Sequence, residues 1–316
     1  MSEDGANPAS IIATLEDGRR RFLALVADVR PDLHRYCARM TGSVSDGEDV
    51  VQDTLARAYY QLPELKELPP LRPWLFRIAH NRAIDHLRGA AHRRTETLDA
   101  ADDIAADGQN EPESALARSQ AVHAAIASFL ELAPTQRACV IMKDVLDHTL
   151  EEIADELELS VPAVKAALHR GRARLLEPGA AAAPAGTKAR TAALEVARYA
   201  SLFNAHDWDA VRSMLADDVK LDLVSRRKAT GRHEVGLYFG NYERQCGWHL
   251  APAWLDGREV LAVTSEPQHG ARPVYFVELT LRDGRIQAIR DYRYVPYIAN
   301  DAALDALDRD RNNTVS

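Results

Sequence analysis

Between Arg72 and Arg94 the chain carries Arg72, Arg77, Arg82, Arg88, Arg93 and Arg94 against one acid, Asp85, with His80, His86 and His92 among them. The spacing predicts a helix from about Pro73 to Gly89. On it Leu75, Phe76, Ala79, Ala83 and Leu87 share one side. Arg77, Asn81, Asp85 and Arg88 fall within about a quarter turn of each other on the opposite side. Guanidinium groups meet phosphates and base edges, and an asparagine amide can pair with a base. This face, with the basic loop expected at 88–94, therefore suits a nucleic acid. Trp74, at the helix start, is either core or a stacking platform for an unpaired base.

A second basic stretch lies at 160–174, where Lys165, Arg170, Arg172 and Arg174 face no acid. Thr149-Leu-Glu-Glu152 before it is a capping box that opens a short helix, with Leu150, Ile153, Ala154 and Leu157 inside. Glu158-Leu159-Ser160 makes a turn, and Ser160 caps a second helix whose buried stripe is Val161, Val164, Leu168 and Leu175. Two helices, a tight turn and a basic second helix are a helix-turn-helix signal.

A third helix must precede both. Ser45-Asp46-Gly47-Glu48-Asp49 places acids in a first turn, Val51, Leu55, Ala58, Tyr59 and Leu62 follow at helical spacing, and Pro63 stops it. Asp49, Gln52 and Asp53 lie off that stripe, as the residues of any solvated helix face would.

The whole chain frames these elements. Its 316 residues suggest about two domains, and 46% hydrophobic with 27% charged residues is a globular composition. No apolar run approaches the ~18 residues of a membrane helix, and Met1–Ser10 lacks the basic start and apolar core of a secretory signal; a cytoplasmic protein with no membrane partner is expected. The net charge of −8 argues against a protein that binds DNA on its own. Cys37, Cys139 and Cys246 are scattered and odd in number, so neither a disulfide framework nor a metal site is expected. With no phosphate-cradling glycine loop or nucleophilic triad either, the expectation is no metal, no cofactor and no catalytic residue.

Composition shifts mark the boundaries. Residues 95–113 hold seven acids and no lysine or arginine, which reads as an acidic linker, and 177–189 form an Ala/Pro/Gly hinge. The expected organisation is a flexible tail at 1–19, helical modules at 20–94 and 114–176, a third domain at 190–300 and a flexible tail at 301–316.

The two basic modules, in this order and joined by an acidic linker, resemble extracytoplasmic-function sigma-70 factors over about residues 20–176. Glu48-Asp49-Val-Val-Gln52-Asp53-Thr-Leu-Ala-Arg-Ala-Tyr is similar to the region-two helix that docks on the clamp helices of RNA polymerase. The resemblance implies polymerase contacts at Asp49, Gln52, Asp53 and Arg57. Trp74-Leu-Phe-Arg-Ile-Ala-His-Asn81-Arg-Ala-Ile-Asp85-His-Leu-Arg88 is similar to the helix that melts and reads the minus-ten element, which implies Trp74, Arg77, Asn81, Asp85, Arg88, Arg93 and Arg94 as its DNA contacts. Leu132-Ala-Pro-Thr-Gln-Arg137 and the helix-turn-helix resemble region four. There Ser160, Lys165, His169, Arg170, Arg172 and Arg174 are the implied minus-thirty-five contacts, and the acidic linker would lie in the polymerase's RNA-exit path. The family commonly has Gly-Thr before the valine and Ser-Arg after the lysine of the recognition helix; here those positions are Pro162-Ala163 and Ala166-Ala167. The exposed side is nearly bald, with Arg170 as its clear base reader, which predicts weak or shape-based reading of that element.

After Thr187 helices at 192–203 and 208–215 precede a strand at 218–224, a short helix at 235–242 and strands at 248–255, 259–264, 273–281 and 285–294. This order predicts α+β, with helices on one face of a curved antiparallel sheet and a hairpin turn at Arg282-Asp283-Gly284-Arg285. The order and Tyr199-Ala-Ser-Leu-Phe203-Asn204-Ala-His-Asp207-Trp208 resemble the SnoaL-like, ketosteroid-isomerase-like cone, which some of these sigma factors carry after region four as a built-in regulator. The fold class is thus all-α regions two and four followed by an α+β cone. Polar groups expected at the cone's pocket are His233, Tyr238, Tyr242, Trp248, Tyr275 and Tyr292, with Asp218, Asp222 or Asp291 as a carboxylate. The function implied is promoter-specific initiation with core RNA polymerase and promoter DNA as partners, tuned by contact between the cone and the sigma regions. The rivals are a stand-alone helix-turn-helix regulator and an isomerase-like or ligand-binding cone tethered to a DNA-binding module.

Overall fold

The structure is a computed structural model that describes residues 8–97, 129–177, 193–245, 247–256, 258–265, 273–301 and 304–306. Most of the expected linker, residues 178–189 of the expected hinge and Cys246 lie outside them. The described residues fall into a helical unit and a C-terminal unit. Among them no helix is long and apolar enough to cross a membrane.

The helical unit begins with α1 (Pro8–Leu25), α2 (Arg30–Thr41), α3 (Val44–Gln61), a 3₁₀ turn (Leu62–Glu64) and α4 (Leu71–Thr97). α1 starts where a flexible tail was expected; it carries Phe22, and Val26 just beyond it, both buried against the common core. The Ser43 side chain caps α3 by accepting from the Asp46 N–H, two residues ahead of the expected start. Gly47 is required where α3 crosses α2, because a Cβ there would lie 2.6 Å from the Ala38 backbone. α4 runs on through Thr97, so the basic stretch 88–94 is helix and not loop. One Gly89 costs about 1 kcal/mol, too little to stop a helix continued by Ala90 and Ala91.

After residue 129 come α5 (Pro134–Val140), a π-turn (Ile141–Val145), α6 (Leu150–Glu156) and α7 (Val161–Leu175). Thr149 and Glu152 form the full capping box, and Ser160 accepts from the Ala163 N–H. Between them Glu158 takes a left-handed φ of 55°. The two helical pieces share one apolar core, in which Leu33, Tyr36 and Phe76 join Ile141, Ile153 and Leu168. Arg137 threads it: its guanidinium donates to the carbonyls of Met40 (2.6 Å), Leu130 (2.7 Å) and Leu132 (3.1 Å).

The C-terminal unit has α8 (Leu194–Asn204), α9 (Trp208–Ser213) and α10 (Arg232–Glu243) on one face of a seven-stranded sheet. Its strands are β1 (Leu215–Leu223), β2 (Arg227–Thr230), β3 (His249–Leu255), β4 (Arg258–Thr264), β5 (Tyr275–Arg282), β6 (Arg285–Asp291) and β7 (Leu304–Ala306), in the order β2-β1-β6-β5-β4-β3-β7. A short helix, α11 (Tyr297–Asp301), precedes β7. The α+β class is as expected, with Asp283 and Gly284 both at positive φ in the hairpin turn. Three details differ. β1 pairs with β6 in parallel, so the sheet is mixed. β2 is a charged edge strand without apolar alternation, and β7 pairs with β3 inside the expected tail.

Candidate nucleic-acid interface

Asn81, Asp85 and Arg88 are exposed on α4. Asp85 is bracketed by Arg82 on one side and Arg88 (3.8 Å) on the other, and Arg82 also reaches Asp53 of α3 (3.3 Å). Arg82 thus ties the α4 face to the α3 face, a role that its place one residue beyond Asn81 did not signal. Trp74 is half-buried and packs against the core. Arg93 and Arg94 lie on the helical continuation of α4, and their side chains fall outside the described residues. Arg77 turns toward the helix-turn-helix, donating to the Asp155 carbonyl (3.0 Å) and carboxylate (3.3 Å) and lying 3.5 Å from Glu158. Beneath the face, Tyr36 Oη and His80 Nδ1 are 2.7 Å apart, and burial lowers the His80 pKa to about 4.

On α3 the exposed side chains are Asp49, Asp53, Ala56, Arg57 and Tyr60, on one helix face. From Asp53 onward this face lines a groove of about 390 Å³ completed by Gln61 and Glu64. Gln52 sits at the edge of this face with its amide nitrogen buried and without a partner among the described residues. Its donor therefore points inward. Glu48 is fully buried against Arg30 (2.5 Å) and belongs to the core, not the surface. Sequence reasoning missed Tyr60, although it stands four residues after Ala56 and seven after Asp53.

On α7 Lys165, His169 and Arg170 are exposed and Ser160 is spent on its cap. Arg172 is held bidentate by Asp144 (3.0 and 2.5 Å), and Arg174 pairs with Glu177 and with Glu131 (3.8 Å). Gly171 is buried, and a Cβ there would come within 2.8 Å of Val140, so α5 and α7 need a glycine at their crossing. Lys165, His169 and Arg172 rim a groove of about 480 Å³ lined by Leu150, Leu168, Ala173 and the exposed Leu176.

The family model for sigma-70 region 2 matches residues 25–95, and that for sigma-70 region 4 matches residues 123–175. The ECF RNA polymerase sigma factor SigW of Bacillus subtilis is 30% identical over 173 residues, covering 52% of this chain and 92% of SigW. The chain belongs to the ECF sigma factor family. SigG of Mycobacterium tuberculosis is 31% identical over 218 residues, and the match covers 61% of this chain and only 59% of SigG. The crystal structure of the M. tuberculosis extracytoplasmic function sigma factor SigJ aligns with a TM-score of 0.33 at 21% identity, over 85% of this chain and 95% of that one.

In this ECF sigma factor the C-terminal unit gathers only part of the expected pocket. Tyr238, Tyr242 and Tyr275 converge on Asp291: Tyr238 donates to its Oδ2 at 2.5 Å and Tyr242 at 3.0 Å, while Tyr275 is 2.9 Å from the Tyr242 hydroxyl. The other carboxylate oxygen accepts from the Arg293 N–H (2.8 Å). Burial raises the Asp291 pKa, against which the tyrosine and main-chain hydrogen bonds act. Trp248 stands beside Tyr275, and the Arg293 guanidinium lies 5.0 Å from the Trp248 ring and 5.3 Å from the Tyr242 ring. Two expected members are elsewhere. His233 is exposed at the start of α10, about 140° around the helix from Tyr238. Tyr292 follows Asp291 and points to the opposite side, packing on Phe276 (4.3 Å) with its hydroxyl on Glu278 (3.2 Å). Of the three candidate carboxylates, Asp291 is the buried one.

Proposed function

We propose that this chain binds core RNA polymerase and directs promoter-specific transcription initiation in the cytoplasm. The α3 face of Asp49, Asp53, Arg57 and Tyr60 meets the polymerase, with Gln52 at its margin. Asn81, Asp85, Arg88 and the continuing α4 helix read and melt the minus-ten element, joined by Arg77 when it is released from Asp155. Lys165, His169 and Arg170 approach the minus-thirty-five element. The observation that carries this reading is a polar α3 face and a separate Asn/Asp/Arg α4 face, exposed together on one helical module and followed by a capped helix-turn-helix.

With Arg172 and Arg174 held by acids, Arg170 is left as the base reader on α7. A good bidentate base contact is worth ~1–3 kcal/mol, so discrimination at the minus-thirty-five element is weak and the minus-ten element dominates. The net charge of −8 is consistent with a protein that meets DNA as part of a holoenzyme.

The C-terminal unit acts as a SnoaL-like regulatory module of the sigma regions. Asp291 and its tyrosines favour asking whether it is an isomerase-like enzyme, because such chemistry needs a carboxylate opposite acid donors. Here both carboxylate oxygens are already engaged inside the core, which supports a structural clasp over a catalytic base.

Run-off transcription on a promoter library tests the whole reading, comparing the full chain with a version ending at Leu176. Initiation by both only when core polymerase is present is the expected result, and their difference measures the C-terminal unit. DNA binding without any polymerase-dependent initiation would replace this reading with a stand-alone regulator.

A further inference from the structure

The joint between the two halves of the helical unit is built on a histidine whose charge state it dictates. His148, between the π-turn and α6, is 4% exposed, and Glu156 of α6 is 1% exposed. His148 Nδ1 lies 2.7 Å from Glu156 Oε2, and His148 Nε2 lies 3.0 Å from Arg72 Nη2 of α4. A guanidinium has donors only. Nε2 must therefore offer its lone pair to Arg72, and the ring proton must sit on Nδ1, where it is donated to Glu156. In this arrangement His148 is neutral.

The surroundings hold the ring in place. The His148 N–H donates to the Met142 carbonyl (3.0 Å), and the His148 carbonyl accepts from Lys143 Nζ (2.9 Å). The Phe76 ring of α4 meets it edge to face at 5.0 Å. Arg72 is also paired with Asp32 of α2 (2.9 Å) and lies 5.4 Å from the Phe76 ring centroid. The charged and titratable groups around the ring are Arg72 from α4, Asp32 and Tyr36 from α2, Glu152 and Glu156 from α6, and Lys143 and Asp147 from its own segment.

We propose that His148 is a proton-sensitive latch: its neutral form closes region two on region four through Arg72, and its protonation opens that joint. A second proton would go to Nε2 and place an N–H donor against the Arg72 N–H donors, cation against cation. Glu156 keeps the imidazolium; Arg72 is displaced toward Asp32. The open form thus binds one more proton than the closed form, and acid favours opening. The ratio of closed to open chains therefore falls as the pH is lowered. In the closed form Arg77 is occupied by Asp155 and Glu158, 3.0 Å being its shortest contact. On the function proposed above, opening releases that arginine to DNA; the latch itself does not depend on that function.

Double electron–electron resonance on the full chain tests it, with spin labels at the exposed positions Glu67→Cys and Glu151→Cys and with Cys246→Ser. At pH 8 a single short distance is expected. A longer, reversible population should grow relative to the short one as the pH falls from 8 to 5.5. His80, with its folded pKa of about 4, stays neutral in that window. His148→Gln, whose amide can accept from Arg72 and donate to Glu156 at any pH, should remain closed throughout. An unchanged distance distribution from pH 8 to 5.5 in the parent chain, or a His148→Gln variant that opens like the parent, overturns the proposal. If His148→Gln fails to fold, the imidazole nitrogen resonances of the unsubstituted chain decide: the Nδ1–H tautomer at pH 8 is required, and an Nε2–H tautomer refutes the latch.

Discussion

Glu156 at the joint of the helical unit and Asp291 in the C-terminal unit are both buried, and these two carboxylates are satisfied in opposite ways. Glu156 faces a histidine that is itself held by an arginine from a segment more than seventy residues away. Asp291 accepts from two tyrosines, one of which also meets Tyr275, and from a main-chain N–H, all contributed by the C-terminal unit. A buried carboxylate whose histidine partner is itself held by a distant arginine belongs to a joint, because moving one segment removes that hold. A carboxylate ringed by neutral donors has nothing to release. The comparison separates a polar cluster that can report on conformation from one that only fixes it.

The sharpest way to break the comparison is Glu156→Ala. Removing the carboxylate leaves the buried His148 N–H without an acceptor, which costs about 1–3 kcal/mol. The helical unit should lose that much in urea unfolding followed by the helical circular-dichroism signal. The C-terminal unit should keep its own transition, followed by the fluorescence of Trp208, Trp248 and Trp254 in a Trp74→Phe background, at an unchanged midpoint. A loss under about 1 kcal/mol would mean that Glu156 is solvated and that the joint is not built on it.

Asp291→Asn comes next. The amide keeps one acceptor for the tyrosines but brings a donor into a site already full of donors, at a cost of about 1–3 kcal/mol for the group left unsatisfied. The pH dependence is the finer test. Burial raises the folded pKa of Asp291 above its ordinary value of 3.8, so the folded state holds this proton more tightly than the unfolded state. The resulting stabilisation is fully present below the unfolded pKa and is lost as pH rises through the raised folded pKa. In the Asn variant that decline should vanish from the urea midpoint of the C-terminal unit measured from pH 3.5 upward. A parent whose stability instead climbs across that range would show that the tyrosine hydrogen bonds outweigh burial.

What could be read in advance divides along the same line. Thr149 with Glu152, and Ser160 with Ala163, are legible because a cap is made within three residues. The Asp49–Asp53–Arg57 face is legible because helical spacing alone puts those residues side by side. Arg72, His148 and Glu156 carry no local signal: the contact that defines them joins α4 to α6. In the C-terminal unit the tyrosines are expected at a pocket only because the resemblance to the cone implies one. Strand alternation then decided that Asp291 and Tyr275 face the helices while their neighbours Tyr292 and Phe276 face away. A one-residue uncertainty in register is enough to exchange those sets. The parallel pairing of β1 with β6 depends on how the sheet closes, which no run of residues encodes. The charged β2 was invisible because, as an edge strand, it carries Arg and Lys in place of an apolar alternation, with only Ala229 packing against the core.

The smallest expected effect is the most discriminating for function. Arg77 touches Asp155 and Glu158 in the closed unit, but its side chain is 38% exposed and theirs are 63% and 70% exposed. Such surface pairs are worth about 0–1 kcal/mol, so Arg77→Ala should barely move the urea midpoint of the helical unit. On α4, however, Arg77 shares the face of Asn81, Asp85 and Arg88, and a lost DNA contact costs ~1–3 kcal/mol, which is about five- to a hundred-and-fifty-fold in promoter occupancy. Run-off transcription with core polymerase should therefore drop while stability holds. The drop should persist on templates with the minus-ten region already unpaired if Arg77 meets DNA after melting, and shrink there if it acts in melting. Unchanged initiation would assign Arg77 to the region-two–region-four joint alone, and would leave Asn81, Asp85 and Arg88 to carry the α4 face.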